Sequence, residues 1–277
     1  MENHKKINTL KIKLIDYIKK FLDEKMPERS KSKHLVYGIT DTGKTRVNNE
    51  DAFWISESNA FFVVADGMGG HNAGEVASQK TIELLQAIIA NEEFDRAEGE
   101  SIKIETLFAC ALSNISTKIV KMGKENPELS GMGCTVATAY LYNKTLHTAH
   151  VGDARIYVCN KKGMEQLGYD HSYVAEAVKK GEMTREEARL SENKNQITMA
   201  IGSPYPIDPE YIAKELNPGD RALLCSDGLW DMMPDAEIHK IVMASDNAKT
   251  ICENLVNAAN KAGGLDNITV VVSIINS

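Results

Sequence analysis

The sequence predicts a mixed α/β domain, and three observations support this. Apolar side chains recur at helical spacing over 73–90 and 104–122. A strand-rich centre follows, in which the β-branched and aromatic runs 134–142 and 145–151 flank a two-residue turn. The 277 residues are 43% hydrophobic, which is enough for one large core.

The first 33 residues differ in charge from the rest of the chain. They hold ten Lys/Arg against five Asp/Glu, a balance of +5, whereas residues 34–277 carry −12 and the whole chain −7. Apolar residues from Ile7 to Phe21 predict a basic amphipathic helix. By default it is a helix packed on its own domain or a solvated appendage, and the alternative is a docking segment for a partner or an anionic membrane surface. The domain is therefore expected to span 34–277. Its acidic balance argues against sequence-independent nucleic-acid binding.

Cysteine usage and apolar run length restrict the class further. Five cysteines without a C-x-x-C pair predict reduced, mostly buried thiols in a cytoplasmic protein. None is followed by arginine at the C-x₅-R spacing of cysteine-based phosphatases. No apolar run approaches the roughly 18 residues of a membrane span, and charged residues interrupt the N-terminal apolar positions, so no secretory signal is predicted.

The stretch GITDTGKT, residues 38–45, matches the phosphate-binding loop pattern G-x-x-x-x-G-K-[ST] at every fixed position. Such a loop must open a helix, but residues 46–58, RVNNEDAFWISES, have no apolar side chains at helical spacing. Ala52–Ile55 instead predicts a strand. Too few residues separate Thr45 from Phe61 for a helix with its two loops. A nucleotide-hydrolysing loop is therefore disfavoured.

Aspartates stand at the ends of four apolar strands. FFVVADG, HVGDAR and LLCSDG place one after a strand, and LDNITVVV places one before; they are Asp66, Asp153, Asp227 and Asp266. Carboxylates clustered without Lys or Arg repel one another, so they are either solvated turn caps or ligands of a cation. An all-oxygen ligand set favours Mg²⁺ or Mn²⁺.

Eight motifs, in this order, resemble the metal-dependent Ser/Thr protein phosphatases of the protein phosphatase 2C (PPM) family, most closely its bacterial branch. They are GITDTGKTRVNNEDA, VVADGMGGHNAGEVAS, GMGCTVATAYLYN, AHVGDARIYV, DHSYV, AIGS, LLCSDGLWD and DNITVVV. The resemblance implies an α+β fold, a four-layer α-β-β-α sandwich of two central β-sheets flanked by helix pairs. It places the metal site at one edge of the sandwich, beside a flap over about 172–199.

The resemblance also implies two core ions, Mn²⁺ or Mg²⁺. Asp66 would bridge them, and the backbone carbonyl of Gly67 would bind one. Asp227 and Asp266 would complete the second ion's protein ligands.

Residues of the first motif would complete the site. Glu50 and Asp51 would lie beside the ions, Asp51 through metal-bound water. Arg46 would clamp the substrate phosphate, because its planar fork matches two oxygens. A lone arginine is by default a surface ion pair, and only the place of Arg46 four residues before Glu50 supports the clamp role.

A third, weaker ion would bind Asp153 and Asp227. Asp231 is a further candidate for that ion, with a helix-capping role equally open. Asn267, next to Asp266, is also a candidate site residue.

The general acid for the leaving group is left open by the motifs. Met68 stands where eukaryotic relatives carry a proposed histidine acid. His71 could substitute, although a turn histidine is the default interpretation, and a metal-bound water is the other candidate. His171, where the flap begins, is interpreted as structural.

The function implied is hydrolysis of phosphoserine and phosphothreonine on proteins by a metal-activated water, opposing a bacterial Ser/Thr kinase. The expected partners are phosphorylated proteins, and the chain is expected to act as a monomer. The alternative is a non-catalytic phosphoprotein-binding relative, but such members lose metal-binding acids that are present here.

Overall fold

The structure, a computed structural model, describes residues 35–70, 73–90, 94, 97 and 99–276. The predicted N-terminal helix within residues 1–33, and His71, lie outside the described residues. Across the described chain, no helix is both long enough and apolar enough to cross a lipid bilayer.

Two five-stranded antiparallel sheets form the centre of the described domain. The first has the order β1 (Leu35–Asp41), β10 (Ile268–Ile274), β9 (Arg221–Cys225), β6 (Arg155–Asn160) and β7 (Gly163–Gln166). The second has the order β2 (Asp51–Ile55), β3 (Phe61–Met68), β4 (Gly133–Tyr142), β5 (Thr145–Val151) and β8 (Glu210–Glu215).

The helices cover the outer faces of the sheets. Helices α1 (Ala73–Ile89) and α2 (Ser101–Glu125) share an apolar core with the second sheet. Helices α6 (Asp235–Val242) and α7 (Ala248–Ala262) do the same on the first sheet. The flap segment carries α3 (Tyr173–Lys179) and α4 (Arg185–Leu190), and the short helix α5 (Asp227–Trp230) follows β9.

Strand β3 begins with a continuous apolar run, Phe61–Ala65, and its packing explains this. Phe61, Val63 and Ala65 face the helices, while Phe62 and Val64 face the other sheet. Both faces of Phe61–Ala65 are therefore buried, so this part of the strand is wholly apolar, and the polar Asp66 follows it. This third apolar layer between the sheets confirms the four-layer α-β-β-α sandwich.

The stretch 38–45 is not a phosphate-binding loop. Strand β1 runs through its first half, a turn follows, and the next element is strand β2 rather than a helix. The amides of Lys44 and Thr45 both donate to the carbonyl of Gly264, at 2.8 and 3.2 Å. Because the protein itself binds the amides that would have to cradle a phosphate, this interpretation is excluded.

Candidate functional site

The predicted carboxylates come together where strands of both sheets end. Asp51 opens β2 and is the direct cross-strand partner of Asp66 on β3. Asp227 begins α5, directly after β9 and Ser226, and Asp266 lies two residues before β10. The Asp66 carboxyl lies within hydrogen-bonding reach of both Asp51 and Asp227. Both sheets therefore contribute an acid to one cluster.

The pKa values of these groups reflect burial among like charges. Burial raises the pKa of Asp66 well above its usual range, and four other carboxylates raise it further. These four are Asp51, Asp227, Asp153 and Asp266. Burial, followed by the charge of Asp153, likewise raises the pKa of Asp227. Each carboxylate thus makes its neighbour harder to ionise, which is the electrostatic signature of a cation site.

Two hydroxyl groups fix the orientation of Asp51. Ser226 Oγ and Thr269 Oγ1 donate to Asp51 Oδ2 at 2.7 and 2.6 Å, and all three residues are buried. Burial raises the pKa of Asp51 to about 6, although these two hydrogen bonds oppose the shift. One oxygen of the carboxylate is thereby committed to the protein, which leaves the other for the cluster. Sequence reasoning did not identify Ser226 or Thr269.

Gly67 lies against two backbone carbonyls. Its amide donates to Glu50 O at 3.1 Å, and a β-carbon on Gly67 would lie 2.2 Å from Gly74 O and 2.4 Å from Glu50 O. Only glycine fits this close approach. Burial raises the pKa of the half-buried Glu50 carboxyl. Glu50 and Gly67 are thus joined through their backbones beside the cluster.

The loop between β1 and β2 presents Arg46 at the rim of the cluster. Arg46 Nη2 donates to Asp266 Oδ2 at 2.7 Å, and half of the arginine side chain is exposed. Asn267 braces the loop, because its amide nitrogen donates to Thr42 O and Asn48 O and its Oδ1 accepts the Glu50 amide. Asn267 therefore connects the loop to the start of β10.

Asp153 is buried in the turn between β5 and β6. Burial raises its pKa to about 7, with the charge of Asp170 the next largest cause. The charge of Asp153 in turn raises the pKa values of Asp227 and Asp66, so Asp153 belongs to the same acidic group.

Asp231 is engaged with the flap. Lys194 Nζ donates to both of its carboxylate oxygens, at 2.7 and 2.8 Å. Between the flap and the body of the domain lies a cavity of about 410 Å³, with Arg155, Trp230 and both residues of this ion pair among its lining. Lys194 was not identified from sequence, because its partner lies 37 residues away. Met68, at the end of β3, has no titratable group.

A comparison with known families decides the classification. Residues 37–199 match the family model described as protein phosphatase 2C. The chain belongs to the protein phosphatase 2C family.

Proteins named as phosphatases match most of the chain. Protein phosphatase PhpP of Streptococcus pneumoniae is 36% identical over 241 residues, 86% of this chain and 96% of PhpP. The solved serine/threonine phosphatase of S. agalactiae is 34% identical, with a TM-score of 0.79, and the match covers 88% of this chain and 100% of that one. The catalytic domain of PstP, solved with two manganese ions, is 32% identical with a TM-score of 0.74, covering 88% of this chain and 99% of PstP.

The protein is therefore a metal-dependent serine/threonine phosphatase of the protein phosphatase 2C type, and phosphoproteins are its substrate class. The catalytic interpretation is supported over the phosphoprotein-binding alternative.

The residues present fit divalent cations. The cluster offers carboxylate oxygens and the backbone at Gly67. Hard divalent ions prefer such oxygen ligands to the nitrogen of His and the sulfur of Cys. Four acids lie close enough to Asp66 to raise its pKa, and Arg46 donates a hydrogen bond to one of them, Asp266. Positive charge at this position would offset the repulsion that helps to raise the pKa values of Asp51, Asp66 and Asp227.

Proposed function

We propose that this phosphatase holds its two core ions through Asp66, Asp227, Asp266 and the carbonyl of Gly67. The observation that carries the proposal is the convergence of buried acids from both sheets on Asp66. Asp153 together with Asp227 would hold a third, weaker ion. When bound, divalent ions at such a site lower the pKa of water and stabilise charge on phosphoryl oxygens.

The remaining residues of the site orient the reactants. Asp51, held by Ser226 and Thr269, would accept a hydrogen bond from the attacking water in one fixed direction. Arg46 is exposed and bound to Asp266 through a single nitrogen. Its other donors would be available to an incoming phosphate dianion, for which a guanidinium is well matched. Asn267 would act through the loop that carries Arg46 and Glu50.

The decisive experiment measures phosphate release from a phosphothreonine peptide with added Mn²⁺. We expect Asp66→Asn to lower release more than about 100-fold, since losing even residues behind metal ligands costs 10–100-fold. Glu83→Gln, which removes an exposed carboxylate on α1, is the matched control and should match the wild type. EDTA should abolish release by the wild type and by the control.

Wild-type protein that is folded, binds Mn²⁺ and releases no phosphate would overturn the catalytic assignment. Binding of the phosphopeptide without turnover would then favour the phosphoprotein-binding alternative. Phosphate release that survives EDTA would instead overturn the assignment of the ions.

We extend the proposal to the cellular setting. The protein would act in the cytoplasm as a monomer and oppose a Ser/Thr kinase, and residues 1–33 would form a basic docking extension to a catalytic domain spanning 34–277. The charge contrast between these two parts supports the docking role. Co-sedimentation with anionic vesicles, comparing the full chain with residues 34–277, tests it; equal sedimentation of both would contradict membrane docking.

A further inference from the structure

The turn that carries Asp153 is held by two side chains from distant parts of the chain. The Gly152 amide donates to His171 Nδ1 at 3.1 Å, and Gly152 O accepts the His171 amide at 2.8 Å. Trp230 Nε1 donates to Asp153 O at 3.1 Å. Because glycine is the most permissive residue, the conformation of this turn depends on what its peptide groups bind.

Gly152 cannot be replaced by a more rigid residue. Its φ is +96°, and a β-carbon would lie 2.5 Å from two side-chain carbons of Thr135. The direction of the Gly152 amide is therefore set by its acceptor, His171, rather than by a side chain of its own.

The ring of His171 is itself fixed. It stacks on His150, with ring centroids 4.8 Å apart and 14° between the planes. His150 Nε2 donates to Tyr169 O at 2.9 Å, and Glu210 Oε2 accepts the Tyr169 amide at 2.8 Å. Since His150 and Glu210 are cross-strand partners on β5 and β8, the loop leading to His171 is clamped to the second sheet.

His150, His171 and Glu210 also have the composition of a metal site, with one ligand atom each within 4.8 Å of the others. Their hydrogen bonds argue against that use. His171 Nδ1 accepts from Gly152, so Nε2 of the neutral ring carries the proton and neither nitrogen has a free lone pair. The near-parallel stacking also keeps the two rings from converging on one ion. The group is better described as a clamp.

His171 also joins the base of the flap. Its carbonyl accepts the Thr198 amide at 2.7 Å, and the amide of Tyr173 donates to Gln196 O at 2.9 Å. Burial and the adjacent His150 lower the pKa of His171 to about 4, which agrees with a neutral, acceptor ring. One residue thus links the flap base to the turn of Asp153.

We infer that His171 is a positioning residue, which directs the Asp153 carboxylate by accepting the Gly152 amide. The inference rests on the proposed role of Asp153 as a ligand of the third, weaker ion. His171, which was interpreted from the sequence as structural, would thus contribute to ion binding.

Two substitutions separate the acceptor from the ring. His171→Phe keeps an aromatic ring on His150 but lacks Nδ1, whereas His171→Asn offers Oδ1 close to the position of Nδ1. Calorimetric titration with Mn²⁺ should show that His171→Phe lowers the affinity of the third, weaker site about tenfold, which is the effect of losing one buried hydrogen bond. The affinities of the two core sites should not change. Asn should retain the weaker site within about threefold.

A second readout needs no ion. In the metal-free protein, the Gly152 amide proton should exchange faster with solvent in His171→Phe than in the wild type or in His171→Asn. Equal weakening of the site by Phe and Asn would overturn the inference, because ring packing would then be the cause. If His171→Phe does not fold, the imidazole ¹⁵N spectrum of the wild type decides: a protonated Nδ1 overturns the inference, and an unprotonated one supports it.

Failure of the underlying site assignment looks different. Asp153→Asn is expected to remove the weaker Mn²⁺ site. If that variant keeps the site, the proposed role of Asp153 fails and the inference fails with it. If Asp153→Asn removes the site but His171→Phe changes neither Mn²⁺ binding nor Gly152 exchange, the inference alone fails.

Discussion

Single residues at this site are placed by groups that never touch a substrate. Asp51 gives one oxygen to Ser226 and Thr269, and Asn267 uses both ends of its amide to hold the loop of Glu50. Such bonds fix a side chain in one rotamer, so its remaining oxygen meets an ion or water without reorganising. The precision of the site therefore depends on these supporting residues.

Gly67 offers a test of the backbone at this scale. We expect Gly67→Ala to destabilise the fold by about 1–3 kcal/mol, because the new β-carbon would lie within 2.5 Å of two carbonyl oxygens that belong to backbone. The loss of activity should exceed the loss of folded protein, since the backbone shift would move both Glu50 and Asp66. Urea unfolding and Mn²⁺-dependent phosphate release measure the two effects.

Gly70 is the matched control, three residues along the same segment. A β-carbon there meets nothing within 4 Å, and its backbone is not left-handed. Gly70→Ala should therefore keep stability and activity near the wild-type values. A Gly67→Ala protein as active as Gly70→Ala would contradict the close packing seen at Gly67.

Sequence reasoning found the acids but not their supports, and the reason is physical. An aspartate at the end of a buried apolar strand is conspicuous, because no core packing explains it. Ser226 and Thr269 lie 175 and 218 residues from Asp51, and hydroxyl groups are ordinary in strands and turns. No local pattern links such partners, so only the folded chain reveals them.

Among the elements, the flap is joined by an ion pair to Asp231, the residue that follows α5. Lys194 Nζ donates to both carboxylate oxygens of Asp231, and the pair is only partly exposed. Removing it should weaken the hold of the flap by on the order of 1 kcal/mol, the upper end for surface pairs. That corresponds to roughly fivefold more frequent opening.

The substitution Lys194→Met tests this tether, because it keeps an unbranched stem and removes the charge. Amides of 173–196 should exchange about fivefold faster, with the global unfolding midpoint little changed. Lys180→Met is the control, since Lys180 pairs with Glu176 on the exposed surface of the same flap. Exchange that rises equally in both variants would show that Lys194 holds nothing specific.

Long elements were easier to predict than short ones. The helix over 73–90 and the strand 145–151 were confirmed to within one residue, and the helix over 104–122 was confirmed as the longer Ser101–Glu125, because each buries much of its length. Strand β7 has four residues, and edge strand β8, EYIAKE, is half exposed. Neither buries enough apolar surface to leave a pattern, so pairing with a neighbouring strand alone defines them.

For the whole molecule, the acid cluster is a cost that the four-layer core must offset. Burial and neighbouring carboxylates raise the pKa values of Asp51, Asp66 and Asp227, and each ionised pair opposes folding. Burial raises the pKa values of Asp51 and Asp153 to about 6 and 7, above those of the unfolded chain. Stability that these groups provide when protonated is therefore lost as the pH rises through 6 to 7 in the absence of metal.

Because the acids cost stability but serve function, the order of the Tm values of the wild type and Asp66→Asn should reverse when Mn²⁺ is added. In EDTA at about pH 8, Asp66→Asn should melt higher than the wild type by a few degrees, since about 1 kcal/mol of relieved repulsion shifts the Tm of a domain of this size by 2–4 °C. Mn²⁺ should then raise the Tm of the wild type well above that of the variant, because binding only the folded state stabilises it. Glu83→Gln should follow the wild type in both conditions. A variant that melts lower than the wild type in EDTA would show that Asp66 contributes to folding without an ion, and that the cluster is not under electrostatic strain.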